Sequence, residues 1–211
     1  MRRLPVYFLL DTSGKMNGEP IQALNNALSG MIWSLRSEPN AVGSVWISII
    51  TFSNEVKEIV PLTDLENFQL PEITCPRSGP RLTGKAMGFL YDKVKNDIRK
   101  SSPTQKGDWK PLLFLFTIGS PNDMSDFTLM IPQIKSINFG VIVSCAAGYI
   151  KDDKLLKELT DNVVHLDTAD GSTLKQFFKW VSDTIEQGNK SMGTTDTVLM
   201  PPPPSEVHLV I

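Results

Sequence analysis

Asp11 and Ser13 are the residues whose types and spacing best fit a chemical site. They lie in the sequence DTSGKM (11–16), directly after an apolar run from Val6 to Leu10. An aspartate and a serine two residues apart, followed two residues later by a second hydroxyl, would supply hard oxygen ligands for Mg²⁺. Here the last of these positions is Lys15, so the sequence lacks one of the three oxygens.

The apolar run before Asp11 has no period-2 alternation, which is typical of a parallel strand covered on both faces. A carboxylate at the carboxyl end of such a strand lies where open α/β sheets bind ligands. Further strands are predicted at 45–52, 112–117, 139–145 and 163–166, and a short strand at 56–60 is expected to pair antiparallel with the first of these. Amphipathic helices are predicted to begin near Pro20, Leu82, Ser125, Lys151 and Gly171.

This alternation of strands and helices predicts parallel βαβ units with right-handed crossovers. We therefore predict an α/β fold with a doubly wound, mainly parallel sheet of about six strands, one antiparallel edge strand and helices on both faces. The helix that follows the strand at 112–117 is expected to bend at Pro132. Residues 171–173 are expected to cap the last helix, and the proline-rich sequence 70–80 to have no regular structure.

The predicted domain covers residues 4–187, and residues 188–211 are predicted to be a flexible, proline-rich tail. Pro201 to Pro204 favour a polyproline II rod ahead of an apolar end. An alternative is that this end binds a partner, because apolar residues are unusual in solvated tails. The residues that would make such a contact are Val207, Leu209 and Ile211.

The composition sets limits on the class of protein. A net charge of -2 over 211 residues indicates no general attraction to nucleic acid or to anionic lipid. Cys75 and Cys145 fit neither a metal pair nor a disulfide framework, and we expect two free thiols in a reducing cytoplasm. The sequence has no run near the ~20 apolar residues that a membrane span needs. A cytoplasmic protein without membrane or nucleic-acid partners is expected.

Three motifs together resemble a von Willebrand factor A domain. They are DTSG (11–14) after the first strand, the helix start centred on Gly84, and FTIGSPND (116–123) after the fourth strand. The short chain, the sequence GDWKPLLFLFT (107–117) and the proline-rich end resemble most the TerY-type proteins of bacterial tellurite-resistance clusters. The resemblance covers nearly all of residues 4–187.

The resemblance implies a metal-ion-dependent adhesion site with the pattern DxSxS, a threonine before the second helix and an aspartate in a TDG turn. Asp11 and Ser13 match this pattern, whereas the other three positions are occupied by Lys15, Arg81 and Ile118. An ammonium about 5 Å from a dication costs about 6 to 7 kcal/mol at an effective dielectric of about 20. We therefore expect a degenerate site without metal or other cofactor.

Besides the alternative that Lys15 or Arg81 only extends into solvent while the site decays, two hypotheses follow for this degenerate site. In the first, Lys15 and Arg81 pair with Asp11 in place of the ion and fix the loops. In the second, Thr83 and Asp123 restore the lost ligands and the protein remains a Mg²⁺-dependent, adhesion-type binder.

The resemblance implies a non-enzymatic protein-interaction module of a bacterial tellurite or stress-resistance phosphorylation system. Its implied partners are a PP2C-type phosphatase and a protein kinase. The alternative is a nucleotide-binding enzyme, because Gly79 to Lys85 comes within one residue of the phosphate-binding loop GxxxxGK[ST], although Ala86 replaces the hydroxyl. His165 and His208 have no evident catalytic partner.

Overall fold

The central feature of the fold is one twisted sheet, seen in a computed structural model that describes residues 2–148, 154–191, 198 and 200–210. Within these residues the sheet has seven strands in the order β3-β2-β1-β4-β5-β6-β7. The strands are β1 (Leu4–Asp11), β2 (Val45–Phe52), β3 (Val56–Asp64), β4 (Leu112–Thr117), β5 (Val141–Ala147), β6 (Val163–Leu166) and β7 (His208–Leu209).

The five inner strands are parallel, and each edge strand is antiparallel to its neighbour. All eight residues of β1 are buried, as the apolar run before Asp11 predicts. The prediction of a mainly parallel α/β sheet with an antiparallel edge is confirmed. The sequence did not predict the second antiparallel edge, β7, because a two-residue strand carries no periodic pattern.

The helices form a layer on each face of the sheet. They are α1 (Glu19–Arg36), α2 (Pro39–Val42), α3 (Thr83–Asp97), α4 (Met124–Lys135), α5 (Lys154–Leu159) and α6 (Gly171–Ser191). Phe8 and alternate residues of β1 pack in the cluster that includes α1 and α6. Tyr7 and Leu9 point the other way and pack in the cluster of α3, α4 and α5. This division follows from the pleat, which sends successive side chains to opposite faces.

The long connection between β3 and α3 has no helix or strand from residue 65 to residue 82, in agreement with the prediction for 70–80. It is nevertheless anchored to α1. Asn25 donates to the carbonyl oxygen of Ile73 (2.8 Å) and accepts from its N–H group (2.9 Å). Phe68 and Ile73 are buried against the domain. These contacts fix the position of the connection that leads to the start of α3.

Asp170 caps the amino terminus of α6. Its Oδ1 atom accepts hydrogen bonds from the N–H groups of Ser172 and Thr173, both at 2.9 Å. The expected cap was the segment 171–173, which instead supplies the donors. The helix that follows runs to Ser191, four residues beyond the predicted end of the domain at residue 187.

Within the predicted tail, residues 198 and 200–210 are described by the structure, and several of them contact the domain. Val207 is 3% exposed and belongs to the core cluster of α1 and α6. The Trp180 indole N–H donates to the Pro201 carbonyl oxygen at 2.9 Å. The Val210 N–H donates to the Val163 carbonyl oxygen at 2.9 Å, which extends the pairing of β7 with β6. Ile211 lies outside the described residues.

Candidate functional site: the strand-end face

Three loops meet at the carboxyl ends of β1 and β4 and form what we call the strand-end face. Loop 1 comprises residues 11–16, loop 2 residues 76–82 and loop 3 residues 118–123. A Cβ atom on Gly14 would lie 2.5 Å from the Cα atom of Ser78, so only glycine permits this contact between loops 1 and 2. Loop 2 is also tied to the β2–β3 turn, because the Leu82 N–H donates to the Ser53 carbonyl oxygen at 3.1 Å.

Asp11 is fully buried, and both of its carboxylate oxygens accept hydrogen bonds. Oδ1 accepts from the Ser13 N–H at 2.7 Å. Oδ2 accepts from the Ile118 N–H at 3.1 Å and lies 3.0 Å from the Thr117 hydroxyl oxygen. Hydrogen bonds of this kind stabilise an ionised carboxylate without a neighbouring cation. Neutral donors of loops 1 and 3 therefore hold Asp11 in place.

The hypothesis that Lys15 and Arg81 pair with Asp11 is wrong. Among the described residues no ion pair joins Asp11 to either side chain. Lys15 is exposed in a 3₁₀ turn, Gly14–Met16. The guanidinium of Arg81 lies over loop 3, where its Nε atom donates to the Ser120 carbonyl oxygen at 3.0 Å. It is so close to Gly119 that a Cβ atom there would lie 2.8 Å from the Arg81 Cζ atom.

The backbone of Arg81 is also held by loop 3, through Asn122. The Arg81 N–H donates to Asn122 Oδ1 at 2.7 Å, and the Asn122 N–H donates to the Arg81 carbonyl oxygen at 2.9 Å. Loops 2 and 3 are therefore joined through the backbone and through the side chain of the same residue. Nothing in the local sequence of either loop indicated this pairing.

Asp123 caps α3 from loop 3. Its Oδ1 atom accepts from the Gly84 N–H at 3.1 Å, and its Oδ2 atom accepts from the Lys85 N–H at 2.9 Å. A negative charge at a helix amino terminus is favourable, because the terminal N–H groups are otherwise unpaired. The amides that a phosphate group would need are therefore already occupied by a carboxylate. The sequence places Asp123 before α4 and gave no sign that it caps a different helix.

Two buried hydroxyls remain unpaired in this region. Ser13 Oγ and Thr83 Oγ1 have no hydrogen-bond partner among the described residues. Both residues are nearly inaccessible to solvent, and Thr83 is the first residue of α3. Unpaired buried oxygens are the groups that a bound cation would satisfy.

The remaining positions fit a divalent ion poorly. Lys15, Arg81 and Ile118 supply no side-chain oxygen, and two of them carry a positive charge. Among the described residues there is also no group of three or more His, Cys, Asp or Glu side chains that could hold a metal ion. The side-chain oxygens that this face offers are thus two carboxylates, Asp11 and Asp123, which already accept hydrogen bonds, and small hydroxyls beside two cationic side chains, whereas Mg²⁺ requires near-octahedral oxygen coordination.

The Cys75 thiol lies close enough to Asp11 to be influenced by its negative charge. Its pKa is raised above the usual value, mainly by burial and further by the negative charge of Asp11. Cys75 and Thr12 also line a cavity of about 470 Å³ that opens beside loop 1. The Asp11 carboxylate therefore acts on a group outside its own hydrogen bonds.

Comparison with known proteins places this fold in a family. A model of the von Willebrand factor type A domain matches residues 6–189. The chain belongs to the von Willebrand factor type A domain family.

Solved von Willebrand A structures share the fold at low sequence identity. Proximal thread matrix protein 1 from the mussel byssus aligns with a TM-score of 0.63, 15% identity and 86% of this chain; one of its structures has a zinc-occupied MIDAS motif. A von Willebrand factor type A protein from Catenulispora acidiphila aligns with a TM-score of 0.66 and 14% identity over 88% of this chain. The pilus adhesin SpaC of Lactobacillus rhamnosus GG aligns with a TM-score of 0.67 and 13% identity over 89% of this chain.

This chain spans less than half of each of these proteins: 48%, 43% and 31% of their lengths, respectively. The likeness therefore concerns the von Willebrand A domain alone. No curated protein sequence matches the chain. Among the described helices, none combines the length and the apolar character that crossing a membrane requires.

Proposed function

We propose that this von Willebrand A domain is a non-enzymatic protein-interaction module that binds an acidic segment of a partner without a metal ion. The observation that carries the proposal is the position of Arg81, whose guanidinium covers Gly119 on loop 3. In the family pattern that the resemblance implies, a threonine ligand stands at the position of Arg81. Together with the exposed Lys15, Arg81 gives the strand-end face fixed positive charge where a bound ion would otherwise attract a partner carboxylate.

The hydrogen bonds of Asp11 support this reading. A carboxylate that accepts from two backbone N–H groups and lies beside a hydroxyl is stabilised by the fold itself. Its charge therefore does not require a metal ion for compensation. Guanidinium groups recognise carboxylates through paired hydrogen bonds, so an acidic partner loop fits the chemistry of this face.

The motifs shared with TerY-type proteins extend the proposal to a biological setting. We place the chain in a cytoplasmic tellurite or stress-resistance phosphorylation system of bacteria. Its partners there would be a PP2C-type phosphatase and a protein kinase. The support for this finer assignment is the sequence resemblance in DTSG (11–14), FTIGSPND (116–123) and the proline-rich end.

The test is a binding measurement with the purified phosphatase and kinase from the same cells, in Mg²⁺ and in EDTA. We expect equal affinity in both conditions and an affinity that falls with salt, as for charged interfaces. Lys15→Glu and Arg81→Glu should each weaken binding about tenfold or more. Lys135→Glu, an exposed charge reversal at the last residue of α4, is the matched control and should have no effect. Binding that is lost in EDTA would refute the metal-free mode.

A metal-dependent binder is the second candidate, and one observation favours it. The unpaired hydroxyls of Ser13 and Thr83 are oxygens that a cation could use. Calorimetric titration with Mg²⁺ separates the two candidates, because only the metal-dependent binder takes up the ion with micromolar affinity.

The nucleotide-binding alternative has less support. The N–H groups of Gly84 and Lys85 already donate to the Asp123 carboxylate, whose charge would repel a phosphate group. Thermal protection by ATP that disappears in Lys85→Ala would be the result in favour of that alternative.

A further inference from the structure

The carboxyl-terminal segment runs antiparallel to α6 along most of its length. Val198 lies against Gly188 in the last turns of α6, where an added Cβ atom would be 3.2 Å from Val198 Cγ1. Pro201 lies beside Trp180, one indole hydrogen bond away. Glu206 lies near Gln176 in the first half of the helix, and the Gln176 side chain holds the pKa of Glu206 below its usual value. The segment is therefore seated in a groove and follows it in one direction.

The proline part of this segment is held by a hydrogen bond to one of its carbonyl oxygens. Pro201 to Pro204 have no N–H group, so they offer only carbonyl oxygens and apolar ring surface. Trp180 supplies a complementary donor, because its indole N–H donates to the Pro201 carbonyl oxygen at 2.9 Å, and it is an aromatic residue with 3% of its surface exposed. Aromatic grooves that bind proline-rich peptides use this combination.

The rest of the segment is held as an added strand. His208 and Leu209 pair antiparallel with β6, and the Val210 N–H donates to the Val163 carbonyl oxygen. Val207 is the apolar anchor of this part, with 3% of its surface exposed. Addition of a strand to a sheet edge, with a side-chain pocket for specificity, is a second established mode of peptide binding.

We propose that the groove between α6 and the edge of β6 is a binding site for proline-rich peptides, and that the chain's own carboxyl end occupies it as an internal ligand. The fitting sequence has a run of prolines followed at short distance by an aliphatic anchor and an extended strand. A partner segment of this chemistry binds when it displaces residues 198–210. The site is separate from the strand-end face, because its contacts in the part of the chain that the structure describes lie on α6 and β6 and not on loops 1 to 3.

The attachment is small enough for such an exchange. β7 has two residues, its side chains are exposed, and the proline run makes one hydrogen bond to the helix. The internal ligand is favoured mainly because it is tethered, which gives it a local concentration of about millimolar for a short linker. A free peptide therefore has to compete with the tether and binds weakly until the tail is weakened.

The test uses the full chain and a labelled peptide of residues 198–211, followed by fluorescence anisotropy. Val207→Asp in the protein places a charge at the buried anchor and should release the tail, so that the peptide binds at least about tenfold more tightly than to the wild type. Val207→Ala adds no charge and should give an intermediate gain. Leu129→Asp is the matched control, because Leu129 is an aliphatic residue of α4 with 69% of its surface exposed, and it should leave the tail in place.

Variants of the peptide test the site without any risk to the fold. A peptide with Val207→Asp should lose binding to the released protein, whereas one with Ser205→Asp, at an exposed position, should retain it. Trp180→Phe in the released protein removes the indole donor but keeps an aromatic ring, and should weaken the natural peptide. If the natural peptide binds neither releasing variant, or if the Val207→Asp peptide binds as well as the natural one, the proposal is overturned.

Discussion

The Nε atom of Arg81 donates a hydrogen bond to the carbonyl oxygen of Ser120 at 3.0 Å, which joins loop 2 to loop 3. A threonine at this position is too short to reach across loop 3 in this way. The long side chain of Arg81 thus makes a contact between the two loops that a shorter residue could not make. The metal-free proposal and the first prediction both rest on this relationship.

Restoring the family pattern should restore Mg²⁺ binding. We expect the triple variant Lys15→Ser, Arg81→Thr, Ile118→Asp to bind Mg²⁺ with micromolar affinity by calorimetry, because it removes two positive charges and adds three oxygen ligands. The wild type should bind none in the same range. Asp11→Asn added to the triple variant is the control and should abolish binding. Micromolar Mg²⁺ binding by the wild type would contradict this prediction.

Removal of the Asp123 carboxylate should destabilise the domain. Asp123→Ala leaves the N–H groups of Gly84 and Lys85 without their acceptor, and we expect a loss of about 1 to 2 kcal/mol in the free energy of unfolding. Urea denaturation measures this loss. Asp92→Ala, an exposed position on α3, is the control and should change the free energy of unfolding by less than about 0.5 kcal/mol. Equal stability of the two variants would exclude the capping role of Asp123.

The two cysteines should react very differently with a thiol reagent. Burial raises the pKa of Cys145 well above its usual value, so Cys145 should react only after denaturation. Cys75 is half-buried and should react slowly at neutral pH, with a rate that rises with pH as thiolate forms. Asp11→Asn removes a charge that raises the pKa of Cys75, and should accelerate its reaction a few-fold. Ser13→Ala, which leaves that charge in place, is the control; an unchanged rate in Asp11→Asn would show that the charge of Asp11 does not reach the thiol.

Asp170 should make the stability of α6 dependent on pH. Hydrogen bonds from the Thr168 hydroxyl, the Thr173 N–H and the Ser172 hydroxyl hold the pKa of this carboxyl well below its usual range. A lowered folded-state pKa contributes stability above the unfolded-state pKa, which is about 3.9, and the contribution is lost as the pH falls further. Asp170→Ala should therefore cost about 1 kcal/mol at pH 7 and less at pH 3, as measured by urea denaturation. A cost that does not change with pH would contradict the prediction.

The sequence predicted those parts of the fold that depend on local patterns. The run Val6 to Leu10 is apolar on both faces because the strand is central, and alternate residues of β1 enter different helix layers. What the sequence could not predict are contacts between distant segments. Arg81 was expected at Asp11, but the nearby N–H groups of Ser13 and Ile118 already satisfy that carboxylate.

The same limit applies at the ends of the helices and of the chain. Asp123 directly precedes α4, yet its carboxylate caps α3. The donor Gly84 lies 39 residues earlier in the sequence, so only the three-dimensional structure shows this contact. β7 is a strand because β6 offers an open edge, and its own two residues carry no strand pattern. Whether Lys15, Thr83 and the other residues of the strand-end face contact a partner stays a prediction.

The two antiparallel edge strands also decide how the molecule behaves beside copies of itself. β3 protects one side of the sheet with register shifts opposite Ile47 to Ile50 and with Pro61, features that discourage pairing with a further strand. On the other side, β7 is the strand that covers the edge of β6 among the described residues. In a chain cleaved before residue 198, the backbone N–H and C=O groups at the outer edge of β6 would lose their partners in β7. We expect such a chain to aggregate through this unpaired edge.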